Sequence, residues 1–248
     1  MVSASRTTQT YEDLKRELLD GVHAPGSKLP IDQLAGRFEV SLSAVREALS
    51  RLTSDRLVVA EPQRGFSVAP ISASDLIDLT QVRIDIETRC LRSSILRGNL
   101  EWEGRLLDTW HQLSRTPHLV SSETFNPDWT RLHSRFHDEL IAACDSVWWL
   151  RLRDQLFLQA ERYRRMLLPY TRITRNVDDE HQEIFDLTLA RDAERASAAL
   201  AAHLQRTADI LLASDAPFSD VPRVAPARPG SGRSAAIKTG KPASKPAS

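Results

Sequence analysis

Along the first seventy positions apolar residues recur at helical spacing three times, then give way to two short β-type runs. Within residues 10–23 (TYEDLKRELLDGVH), Tyr11, Leu14, Leu18 and Val22 share one stripe, as the buried face of an amphipathic helix requires. The segment PGSKLP, with two prolines and a glycine, interrupts it. Residues 30–38 predict a short second helix with Ile31, Leu34, Ala35 and Phe38 on its apolar side. In SAVREALSRL, Val45, Ala48, Leu49 and Leu52 repeat the spacing, and Ser41 or Ser43 can cap that helix by accepting a backbone N–H. LVVAEP and FSVAPI read as strands joined by the turn PQRG. Three helices and a two-stranded ribbon predict a winged helix-turn-helix over residues 1–71.

From Ser72 to Ser214 the pattern is helical throughout. Ser72 to Asp75 has the Ser-x-x-Asp form of a capping box and opens a long helix to about Arg97. Further helices are expected at 100–115, 123–144, 146–168, 174–190 and 192–213. Breaks fall at Arg97-Gly98-Asn99, Thr116-Pro117, Asp145-Ser146, Pro169 and Arg191-Asp192. No βα alternation and no glycine-rich phosphate loop occur, so an antiparallel all-α bundle is expected over 72–215. The fold class is therefore mainly α. Residues 216–248, rich in Pro, Ala, Ser, Gly and Lys, have little to bury and are expected to be a disordered basic tail.

Charge cancels over the 248 residues, with 33 basic and 33 acidic, so bulk electrostatics force no nucleic-acid partner. Its distribution is uneven: the bundle segment 71–215 carries 18 basic against 23 acidic residues, and the tail six against one. Two cysteines, Cys90 and Cys144, cannot frame a disulfide scaffold and suit a reducing compartment. No run approaches the ~18 apolar residues of a membrane span, and no signal-peptide core opens the chain. A cytoplasmic protein without membrane contact is expected.

The stretch LHSRFH sets His133 and His137 four positions apart, one above the other on a helix. Such a pair can converge on a metal ion; equally, one ring can serve a core hydrogen bond while the other is solvated. A zinc hydrolase would want a glutamate beside the first histidine, as in HExxH, but Ser134 stands there. No G-x-S-x-G nucleophile turn appears either. A metal-dependent hydrolase using the histidines is the alternative function, and a ligand-free architectural DNA binder is a third.

PGSKLP, LAGRFEVS, AVREALSRL and QRGFSV in the first part, with FHDEL, EHQEIFD and AAHL in the second, resemble the GntR family of bacterial transcription regulators. The likeness is to its FadR-like branch with an FCD effector domain, and it runs to about residue 213. It implies a DNA-binding protein that is not an enzyme. The recognition helix would enter the major groove by its N-terminal turn. That turn offers Ser41, Leu42 and Ser43, with Arg46 one turn in, and Arg64 and Gly65 at the wing tip. Many relatives carry Arg in place of Leu42 and Pro in place of Ala44, so base preference should depart from theirs. An ion pair with Glu47 or Asp55 is the other use for Arg46.

The resemblance also implies a metal set of Asp or Asn followed by three histidines. Here His137, His181 and His203 fit the pattern, and His133 stands where the Asp would be. Hairpin geometry agrees. His181 and His203 each lie 11 residues from Asp192, so at ~1.5 Å per residue both stand about 16 Å from the turn. Neutral imidazoles favour a divalent transition metal, zinc or nickel first. Arg83, where relatives often have Arg, and Arg162 are candidates for an effector carboxylate, with an intrahelical pair to Glu87 as the other role for Arg83. Four neutral ligands leave a divalent charge uncompensated, which favours an anionic guest. The expected protein is a ligand-responsive regulator, a repressor by sign. It would sense a small carboxylate, for example the dicarboxylate glutarate, and bind a pseudo-palindromic operator as a homodimer.

Overall fold

A computed structural model describes residues 6–121, 124–171, 176–216 and 218–219. The chain opens with α1 (Arg6–Leu19), α2 (Ile31–Phe38) and α3 (Leu42–Ser54), followed by strands β1 (Val58–Glu61) and β2 (Gly65–Val68). The strands pair antiparallel, Val58 opposite Val68 and Glu61 opposite Gly65. Leu14, Leu18, Val45, Leu49, Leu52 and Leu57 are fully or almost fully buried in one shared core. Ser41 caps α3, its hydroxyl accepting from the Ala44 N–H at 3.2 Å. Glu39, at φ 54°, makes the left-handed turn between α2 and α3. This is the winged helix-turn-helix that the apolar periodicity predicts.

The first helix is shifted from its expected place. It begins at Arg6 and stops at Leu19, because Gly21 at φ 72° turns the chain and leaves Val22 exposed rather than on the stripe.

The second part is helical: α4 (Ala73–Arg97), α5 (Leu100–Leu113), α6 (Pro127–Ile141), α7 (Val147–Leu167), a single 3-10 turn, α8 (Val177–Leu189) and α9 (Ala193–Leu212). Ser72 caps α4 as the Ser-x-x-Asp pattern requires, and Asn99, Asn126, Ser146, Asn176 and Asp192 cap the others. Trp102, Leu106, Trp129, Phe136, Ile184 and Leu200 lie in its core. One expectation fails. Residues 124–126 do not begin a helix: Thr124–Phe125 (β4) pairs with Leu119–Ser121 (β3) in a small ribbon. Pro127 sets the reason, since the residue before a proline is driven out of the α region, and Asn126 sits at ψ 122°. Residue 123, and residues 174–175 at the expected start of α8, lie outside the described residues.

The two parts are sewn together along α7. Leu158 packs on the first core, and the Gln159 side-chain amide donates to the Asp55 carbonyl at 2.7 Å. The Tyr163 hydroxyl reaches Asp75 Oδ2 at 2.8 Å and accepts from the Ser72 N–H. The expected tail falls mostly outside the described residues, but Phe218 packs beside Ile71, whose carbonyl accepts from the Ser219 N–H.

Candidate metal centre and nucleic-acid face

His133 and His137 project from one face of α6, His181 from α8 and His203 from α9, and all four are buried. One nitrogen from each lies within 4.8 Å of the others. The expected level match across the hairpin is present, with the His181 and His203 ring centroids 4.7 Å apart. Trp129 stacks on His133 at 4.5 Å and fixes that ring's plane. Across the hairpin, His203 Nδ1 meets Glu180 Oε2 at 2.9 Å, and Arg206 holds the other Glu180 oxygen at 2.8 Å. A carboxylate on Nδ1 places the proton there and leaves the Nε2 lone pair for the cluster, the usual outer support of a metal-bound histidine.

Burial, followed by the fields of neighbouring cationic groups, pushes His133 and His137 well below the ordinary 6.5. Both are neutral at physiological pH. Buried without a hydrogen-bond partner, His137 Nδ1 and His133 Nδ1 each forfeit roughly 1–3 kcal/mol. The Glu161 carboxylate stands 4.0 Å from the latter. Four converging imidazole nitrogens in a buried pocket fit a divalent transition ion.

The depressed values carry a sign. In the unfolded chain these histidines take protons below about 6.5 that the folded rings refuse. Metal-stripped protein should therefore lose stability as pH falls through that value. Thermal melts at pH 7.5 and 5.5 check it; an unchanged or higher Tm at the lower pH would contradict it.

A cavity of about 70 Å³ adjoins the cluster. Against roughly 10–15 Å³ for one water-sized sphere, it has room for about five to seven waters. Phe125, Trp129, Phe157 and Leu204 give it apolar walls, and Arg83, Glu161 and Arg164 its charge. Arg83 makes the intrahelical pair anticipated for it, Nε holding Glu87 at 2.7 Å, and its side chain also lines the cavity. Arg162 does not line it. Its guanidinium turns to the carbonyls of Ala69 and Pro70, in the link between the two parts.

Arg164 occupies the place expected of Arg162. Its Nε and Nη2 grip Glu161 at 2.7 Å each, and it lies over the Phe125 ring at 4.2 Å. Its Nη1 is buried without a hydrogen-bond partner. Burial raises the Glu161 pKa, but Arg164 above all more than reverses that and holds the group ionised. The sequence did carry a sign of this, because Phe157, Glu161 and Arg164 fall on one stripe at i, i+4 and i+7.

At the other end, Ser41 and Ser43 hydroxyls lie 2.9 Å apart at the start of α3, beside Leu42, which is half exposed. Arg46 is exposed and makes no ion pair among the described residues. Arg64 reaches Glu61 at 3.8 Å from the exposed wing tip, and Gly65 there holds φ 89°. Arg37 and Arg51 are otherwise occupied, on Glu17 and over the Tyr11 ring.

Two family profiles match the chain: the FCD domain over residues 78–206, and bacterial regulatory proteins of the gntR family over 6–68. The HTH-type transcriptional regulator BphR of Paraburkholderia xenovorans (strain LB400) is 40% identical over 205 residues, 82% of this chain and 83% of that protein. The HTH-type transcriptional repressor GlaR of Escherichia coli (strain K12) is 34% identical over 198 residues, 78% of this chain and 90% of that one. In fold, E. coli McbR/YncC superposes with a TM-score of 0.69 at 21% identity, covering 85% of this chain and 98% of that one. These families and relatives are transcription regulators rather than enzymes, so nothing supports the hydrolase alternative.

Proposed function

The chain belongs to the GntR family of bacterial regulatory proteins, with an FCD domain as its second part, and on that premise we propose a metal-dependent carboxylate sensor that represses by holding operator DNA. The observation that carries this reading is the four-histidine cluster opening onto a small cavity walled by two arginines. A solid apolar bundle, as a ligand-free architectural protein would have, has no need of either feature.

His133, His137, His181 and His203 would hold the metal, zinc or nickel by the preference of imidazole nitrogen. When bound, such an ion supplies a fixed divalent charge on which an effector carboxylate can dock. The wall charges cancel: Glu87 pairs with Arg83 and Glu161 with Arg164. A dianion would therefore balance the ion. Its second carboxylate has donors to meet, since Glu161 leaves Arg164 Nη1 unused. That charge balance favours a short-chain dicarboxylate such as glutarate. Repression follows the role of the GlaR relative, a transcriptional repressor. Two copies on a pseudo-palindrome follow from a single recognition helix per chain. Among the described residues no helix is long and apolar enough to cross a membrane. A chromosome-bound regulator works in the cytoplasm.

A screen of mono- and dicarboxylates by thermal shift and operator release tests this. Short dicarboxylates should raise Tm and release DNA. Arg164→Lys, which keeps the charge but loses the planar fork, should raise the half-release concentration about tenfold. Release by uncharged sugars or fatty acyl thioesters, with dicarboxylates inert, would overturn the assignment.

A further inference from the structure

The first residue of α3 holds its side chain away from the fold's own core. Leu42 is 51% exposed, whereas Val45, Ala48, Leu49 and Leu52 of the same helix are fully buried. Left in water, that side chain forgoes the gain that burial of an alkyl group brings. The hydroxyls on either side of it are engaged with each other and with the helix end. Ser41 Oγ accepts from the Ala44 N–H at 3.2 Å and stands 2.9 Å from Ser43 Oγ. Arg46, also exposed, follows four positions on, at about 40° of rotation and ~6 Å along the axis. Leu42 and Arg46 therefore form one outward ridge, apolar at its tip and cationic one turn in.

The chemistry of the major groove decides what this ridge can meet. The second helix of a helix-turn-helix lies there with its N-terminal residues against base edges. Guanine, adenine and cytosine present hydrogen-bonding groups, which an alkyl side chain would strip of water and leave unpaired. Thymine adds an apolar group, its C5-methyl. Bases on one strand rise 3.4 Å per step, so ~6 Å of ridge spans about one or two of them. We infer that Leu42 is a specificity-determining residue that packs on a thymine methyl, within about two base steps of the base that Arg46 meets. One methyl taken out of water against leucine strengthens binding about fourfold, and a dimer on two half-sites gains that twice.

This rests on the proposed operator-binding dimer and goes beyond it in naming the atom that is read. The test removes that methyl and nothing else. Thymine is replaced by uracil, position by position, in the duplex that the protein selects from random sequence. Affinity is read by fluorescence anisotropy for wild type and Leu42→Ala, with circular dichroism to verify folding. For wild type, one thymine per half-site should be sensitive, costing about fourfold when changed in one half-site and about 15-fold in both. Leu42→Ala should bind the thymine and uracil duplexes alike at that position. Wild type indifferent to uracil at every thymine, or a Leu42→Ala variant as sensitive as wild type, would overturn this role of Leu42 and leave the operator-binding regulator standing. A wild type that selects no sequence at all would overturn the regulator as well.

Discussion

Arg46→Ala should lower affinity for specific operator DNA on the order of 100-fold, since a base-edge pair is worth roughly 1–3 kcal/mol and a dimer loses two. The helical circular dichroism and Tm should stay as they are, because the side chain is exposed and makes no ion pair among the described residues. Lys28→Ala gives the contrast. Lys28 lies in the segment whose backbone pairs with Ser67 of the wing, away from the groove-reading turn. Its loss should weaken binding modestly, equally across sequences, and with a shallower salt slope. An operator footprint unchanged by Arg46→Ala would remove α3 from the groove.

His181→Ala is the second large effect. Wild-type protein should carry about one transition metal per chain, and the variant should carry none. A ligand at a thousand times its Kd stabilises the folded state by about 4 kcal/mol, so removal should lower Tm by roughly 8–16 °C in a chain this size. His203→Ala should behave alike, since the two rings face each other across the hairpin. His133→Ala separates two versions of the site: full metal content there would mean three ligands, a partial or complete loss four. Metal-free wild type that takes up none on titration would remove the centre altogether.

The fold was open to reading because long helices advertise themselves. Leu14 and Leu18, or Val45, Leu49 and Leu52, repeat over several turns, and serine or asparagine caps mark the starts. The ribbon of Leu119–Ser121 with Thr124–Phe125 did not, because a strand of two or three residues is too short to show a period. The family resemblance points to the histidines, and the count from Asp192 agrees with it because the hairpin is tight. The same count places Glu180 beside His203, twelve residues before the turn against eleven after it. The arginines were harder. Arg162 and Arg164 are two positions apart on one helix, and about 200° of rotation sends one to the linker carbonyls and the other into the cavity. Which of two neighbours faces a site is set by the rotation of α7 against α4 and α9. Residue type does not report that rotation, although the stripe through Phe157 and Glu161 does.

The α7 helix also explains how a small anion can matter to DNA. Glu161 and Arg164 face the cavity, while Gln159, Arg162 and Arg165 on its other sides hold Asp55, the linker carbonyls and Asp20. An effector that draws on Arg164 therefore acts on a rigid element already fastened to the DNA-reading part. On the proposed function, response would be a shift between two arrangements, in proportion to how differently the effector binds them.

The most direct test measures operator release with and without the metal. Fluorescence anisotropy of a duplex selected by the protein from random sequence would be followed as a short dicarboxylate is added to metal-loaded and chelator-stripped protein side by side. The loaded protein should release the duplex over a saturable range while the stripped protein keeps hold of it. Equal release from both would contradict a metal-docked effector.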